Sequence, residues 1–96
     1  MEVIRSDAFR ECTALTSISI PSNCTLVEWT TFQNCTSLKN VTINSPVCEV
    51  GFDAFYDCPS LESVVFAGRT TAQVREMEEY PWGIEDTSII HGALDD

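Results

Sequence analysis

Residues 4–20 read IRSDAFRECTALTSISI, residues 27–43 read VEWTTFQNCTSLKNVTI, and residues 50–66 read VGFDAFYDCPSLESVVF. The three stretches align without a gap, each starting 23 residues after the one before (4, 27, 50). Phe9, Phe32 and Phe55 share one column, Cys12, Cys35 and Cys58 a second, and Leu15, Leu38 and Leu61 a third. Ile4/Val27/Val50, Ile18/Val41/Val64 and Ile20/Ile43/Phe66 complete six apolar columns. Apolar columns held in register over three copies mark a stacked solenoid, whose units bury a face only against one another.

Each unit ends in an alternation such as Leu15-x-x-Ile18-x-Ile20. A period of two places Ile18 and Ile20 inward and Ser17 and Ser19 outward on a short strand. Units related by translation must pair these strands in parallel. The expected sheet has about four strands, centred on residues 17–20, 40–43, 63–66 and 88–91. The segment around Asp7-Ala8-Phe9 and Cys12 should return the chain along the other face as a short helical or 3₁₀ turn. Pro21, Pro46 and Pro59 fall at the joints, where a missing backbone donor does least harm.

After Phe66 the pattern changes. Thr70-Thr71-Ala72-Gln73 fits a capping box, in which a threonine oxygen and a glutamine side chain satisfy the free donors of a helix start. A helix is expected from about Thr71 to Tyr80, with Val74, Met77 and Tyr80 on its apolar side and Glu76, Glu78 and Glu79 towards water. Pro81 and Trp82-Gly83 should stop it. The 23-residue spacing then echoes in part, with Ile84 following Leu61 and Ile89 following Phe66, although Thr87 falls where an apolar residue belongs. Residues 1–66 thus read as three repeats and residues 67–96 as a C-terminal capping helix and strand. The N-terminal turn, entered directly from Met1-Glu2-Val3, has no such device. The expectation is a segment of a longer array, or one whose first turn a partner or a second copy covers.

The unit resembles the BspA-like leucine-rich repeats, roughly I-x-x-x-A-F-x-x-C-x-x-L-x-x-I-x-I-P. Ile4, Ala8, Phe9, Cys12, Leu15, Ile18, Ile20 and Pro21 match position for position. Thr31 departs where alanine is usual, and Asn44 and Ala67 where proline is usual. The resemblance covers residues 4–66. With the tail, the expected fold is an α/β solenoid, a right-handed leucine-rich-repeat array with a short parallel β-sheet and a C-terminal helix–strand cap. The resemblance implies a surface or secreted protein that adheres or binds a partner and performs no chemistry of its own. Two alternatives stand beside it: a structural spacer, and an accessory module of a larger enzyme whose function lies upstream.

Composition narrows the partners. Fifteen acids against five bases give a net charge of −10, which repels phosphate backbones and anionic membranes, so no nucleic acid is expected. Residues 1–66 hold eight acids and three bases, residues 67–96 seven and two, so the charge is densest in the tail. No apolar run approaches the roughly 20 residues that span a bilayer, so no membrane insertion is expected. Met1-Glu2-Val3-Ile4 shows no basic stretch leading into an apolar run, so no signal peptide is visible.

Five cysteines raise other chemistries. Cys12, Cys35 and Cys58 lie between apolar columns, so a buried, reduced ladder is expected. Cys24 and Cys48 fall in neighbouring joints, one column out of register, and a disulfide between them is the minor alternative. With no C-x-x-C and one histidine, His91, neither a metal site nor a cofactor is expected, nor a cysteine–histidine nucleophile. Asp53 and Asp57 lack the donor density of a calcium loop. The sequons at Asn23, Asn34 and Asn40 follow from the repeat template more simply than from glycosylation. What remains is the concave sheet face, outward positions Ser17, Ser19, Asn40, Thr42, Ser63 and Val65, as the expected site for a protein or glycan ligand.

Overall fold

The computed structural model describes residues 2–6 and 8–94. In chain order the strands are β1 (Glu2–Ile4), β2 (Ser17–Ile20), β3 (Cys24–Val27), β4 (Asn40–Ile43), β5 (Glu49–Val50), β6 (Ser63–Phe66) and β7 (Ile90–Gly92), with an α-helix, α1 (Thr71–Arg75), and a 3₁₀ turn (Thr87–Ile89) before β7. They form two parallel sheets, a four-stranded one in the order β2-β4-β6-β7 and a three-stranded one in the order β1-β3-β5. In the larger sheet Ser17 faces Asn40 and Asn40 faces Ser63, and Ile20, Ile43 and Phe66 line up likewise. The 23-residue spacing is therefore the register of β2, β4 and β6.

The smaller sheet departs from the expected single sheet. The apolar column Ile4, Val27 and Val50 lies in it, on strands of its own. Strands of two to four residues expose too little alternation to announce themselves, because each contributes one apolar column to the period. Between the sheets the chain passes through turns closed three residues apart, such as Cys12 N to Phe9 O at 3.2 Å and Leu15 N to Cys12 O at 3.1 Å. These turns do not run on into a helix. Glu11, Asn34 and Asp57, one per turn, have φ near 60° (59°, 62° and 62°), and so do Thr30 and Asp53 (56° and 54°). A left-handed residue reverses the backbone and ends any helical run.

The core lies between the two sheets and the turn. Phe9, Phe32 and Phe55 stack with centroids 5.3 and 5.2 Å apart. The middle turn is sealed, with Phe32, Cys35 and Leu38 fully buried. In the first turn Phe9, Cys12 and Leu15 are only half-buried, because they have a neighbour on one side alone. Cys58 is half-buried as well, so the expected buried ladder is complete only at Cys35.

At the other end, Thr70 caps α1, accepting from Gln73 N at 3.2 Å while Gln73 Oε1 accepts from Thr70 N at 2.9 Å. The helix stops at Arg75, five residues short of the expected end. Two features pull the chain out of it: Glu79 is left-handed at φ 64°, and Trp82 turns wholly inward against Phe66, 5.2 Å away. Its indole N–H donates to Glu78 O at 3.0 Å. β7 also sits later than expected. Val64 pairs with Ile90 and Phe66 with Gly92, a step of 26 residues (64 to 90) in place of 23. The extra three residues bring buried Ile90, not Thr87, into the apolar column. Gly92 lies against the start of α1 and donates its N–H to Thr71 Oγ1 at 3.0 Å. A side chain there would collide with the backbone of Arg69 and Thr70.

Candidate interaction surfaces

Two surfaces differ in what they offer a partner. The outward face of the larger sheet carries Ser17, Ser19 and Asn40, all exposed, then Thr42, Ser63 and Val65, half-buried. Pairing places Ser17, Asn40 and Ser63 on one row and Ser19, Thr42, Val65 and exposed His91 on the next. The face is regular and built of small side chains, with the imidazole at one end. Such side chains supply hydrogen bonds and little buried area, and aromatic and arginine anchors are what usually carry binding energy.

The second surface is the turn side, and it is built differently. Trp29 and Phe52 occupy one column, 60% and 58% exposed, and Tyr56 is 48% exposed on the same stretch of the third turn. Their neighbours in sequence, Phe32 and Phe55, are buried in the stack. The left-handed residues Thr30 and Asp53 follow Trp29 and Phe52 directly, so the chain reverses between the outward and the inward aromatic. Backbone rungs hold the turns together here: Thr30 N donates to Phe52 O at 3.2 Å and Asn34 N to Tyr56 O at 3.0 Å. Gly51 makes the approach possible, since a Cβ on it would lie 2.6 Å from Trp29 N. Gly83, at φ 85°, does the same against Tyr56 Cα.

The ridge runs into two grooves between the third turn and the terminal one. The more open, about 420 Å³, is lined by Phe52, Tyr56, Tyr80 and Pro81 with Asp53, Glu79 and Glu85. The other, about 220 Å³, lies beside Cys58 and Leu61 with Asp57, Glu85 and Asp86 on its walls. Every charged residue lining either groove is a carboxylate. The Ser88 hydroxyl and N–H donate to Asp86, which holds its carboxyl below the usual carboxylate range. Tyr80 is fixed edge-on against Trp82, centroids 5.3 Å apart.

The thiols are occupied structurally. Cys35 donates to Phe9 O at 2.9 Å and Cys58 to Phe32 O at 3.1 Å, one rung per turn. Burial pushes the Cys58 thiol up to about 12 and raises that of Cys35. The Cys24 and Cys48 sulfurs stand 3.9 Å apart in the core as free thiols, with Cys48 pushed up to about 12 by burial and by its neighbour. Among the described residues no group of three potential metal ligands comes together, Asp53 and Asp57 included.

A family model described as a BspA type leucine rich repeat region, in six copies, matches residues 2–81. The chain belongs to the BspA-type leucine-rich repeat family. No curated protein and no solved structure matches it. Membership points to a protein-interaction module, and both surfaces are therefore weighed as interfaces of a BspA-type array. The sheet-face residues come together in two rows. Trp29, Phe52 and Tyr56 are absent from that reading. The sequence did hold a signal for them, since aromatics outside the apolar columns of a BspA-type repeat have no place in its core.

Proposed function

We propose that the chain is a non-enzymatic binding module of a surface or secreted adhesive protein, engaging its partner through the aromatic turn ridge. Within that reading the array is right-handed, and α1, the buried Trp82 turn and β7 close its C-terminal end. One observation carries the proposal: Trp29, Phe52 and Tyr56 stand exposed on the turn side while the aromatics beside them are buried. Large exposed apolar side chains that cluster mark an interaction site more often than ones scattered singly. The strand register favours a second reading, in which a protein or glycan ligand lies along Ser17, Ser19, Asn40, Thr42, Ser63 and Val65.

Binding of the 96-residue chain to an array of immobilised peptides and oligosaccharides separates the two. The ridge variant carries Trp29→Ser, Phe52→Ser and Tyr56→Ser, and the sheet variant Ser19→Lys and Asn40→Lys, both checked for folding by circular dichroism. Binding lost in the ridge variant and kept in the sheet variant is the expected result. The opposite pattern would move the site to the sheet.

A further inference from the structure

Resting on the ridge reading, we propose that the groove at its C-terminal end takes a basic peptide segment, with an arginine or lysine side chain seated among Phe52, Tyr56 and Tyr80. The groove's apolar wall is aromatic, and two of its rings are largely open to solvent. A guanidinium or ammonium is drawn to the face of such a ring. The rim carries Asp53, Glu79 and Glu85, and no base lines this groove or its neighbour.

The chain's bases are engaged or placed elsewhere. Arg5 pairs with Glu28 at 3.4 Å, and Arg69 lies over Phe66 at 5.7 Å and donates to Met77 Sδ. An acidic or neutral peptide would bring no charge to offset the carboxylates, so the charge of the rim selects the occupant. The protein's net charge of −10 adds a long-range pull on the same ligands, and the two effects must be separated by experiment.

The probes are three blocked octapeptides, (Gly-Arg)₄, (Gly-Ser)₄ and (Gly-Glu)₄, titrated into ¹⁵N-labelled protein at moderate salt. The expected result is that (Gly-Arg)₄ alone shifts the amides of residues 52–56 and 79–85 and the Trp29 indole. Phe52→Ala with Tyr56→Ala leaves the charge unchanged and should weaken binding about tenfold or more. Glu49→Gln with Glu62→Gln removes two charges outside both grooves and should leave it nearly unchanged. Equal weakening by both pairs would overturn the proposal, since attraction would then be diffuse. A shift caused by (Gly-Ser)₄ or (Gly-Glu)₄ at the same amides would overturn the cationic specificity and leave the ridge as a binding surface. No shift with any peptide, alongside ridge-dependent binding on the array, would sink this proposal alone.

Discussion

Leu38 has neighbouring turns on both sides and is fully buried, whereas Leu15 and Leu61 in the same column are half-buried. Removing its side chain leaves a cavity that neither neighbour can close. Leu38→Ala should cost roughly 2–5 kcal/mol in urea denaturation, and Leu15→Ala distinctly less. Equal losses would mean that the first turn is as enclosed as the second. The thiols give a pH signature. Cys48 and Cys58 are pushed from an ordinary 9.0 up to about 12, so the folded chain holds these protons more tightly than the unfolded chain. Their contribution is therefore complete below pH 9 and lost as pH rises towards 12. The urea midpoint should fall across that window, and fall less in a Cys48→Ala, Cys58→Ala variant. Identical alkaline profiles would mean that the two thiols titrate normally. At this scale the core columns were legible in sequence because each recurs three times. Trp29 and Phe52 left a fainter trace, aromatics outside those columns, because Ser6 breaks their own column and aromatic character alone does not say which way a side chain turns.

At the scale of elements, the start of α1 was readable and its end was not. Thr70 and Gln73 form a local device fixed by four residues of sequence. Where the helix ends depends on Trp82 finding Phe66, a tertiary contact with no local code. The last turn is also three residues longer than the 23-residue echo, which places β7 later than the repeat spacing alone implies. Thr70→Ala should cost about 0.5–2 kcal/mol, the usual loss for an N-cap. Gly92→Ala should disturb more than a cap, since the added methyl group meets backbone at Arg69 and Thr70 and separates α1 from β7. Hydrogen exchange at Ile90–Gly92 measures this. Amides that stay as protected as in the parent chain would show that β7 does not rely on that approach. The smaller sheet escaped sequence reading for a related reason, because β5 is only two residues long and its pairing comes from stacking.

For the whole molecule, the two ends are unlike. Among the described residues both ends carry strands paired on one side only, β1 and β2 at the first turn and β5 and β7 at the last. At the first turn, however, Ile4, Phe9, Cys12, Leu15 and Ile18 are also left half-buried, with Ile20 alone of its apolar columns buried. Open strand edges template another chain. The 96-residue chain should therefore self-associate through its N-terminal turn as concentration and salt rise, the salt screening the charge of −10 within about 10 Å. Sedimentation reads this out. Association that persists in the ridge variant places the contact at the N-terminal turn, and association abolished there would place it on the ridge. The core is packed within the turns and the aromatic ridge lies outside, and the two tryptophans report on them separately, Trp29 at 60% exposure and Trp82 at 0%. The most direct test is tryptophan emission with acrylamide quenching in Trp82→Phe and Trp29→Phe variants. Trp29 alone should emit to the red and quench as readily as in the denatured chain, and Trp82 alone should emit to the blue and resist quenching. A protected Trp29 or a freely quenched Trp82 would contradict the account.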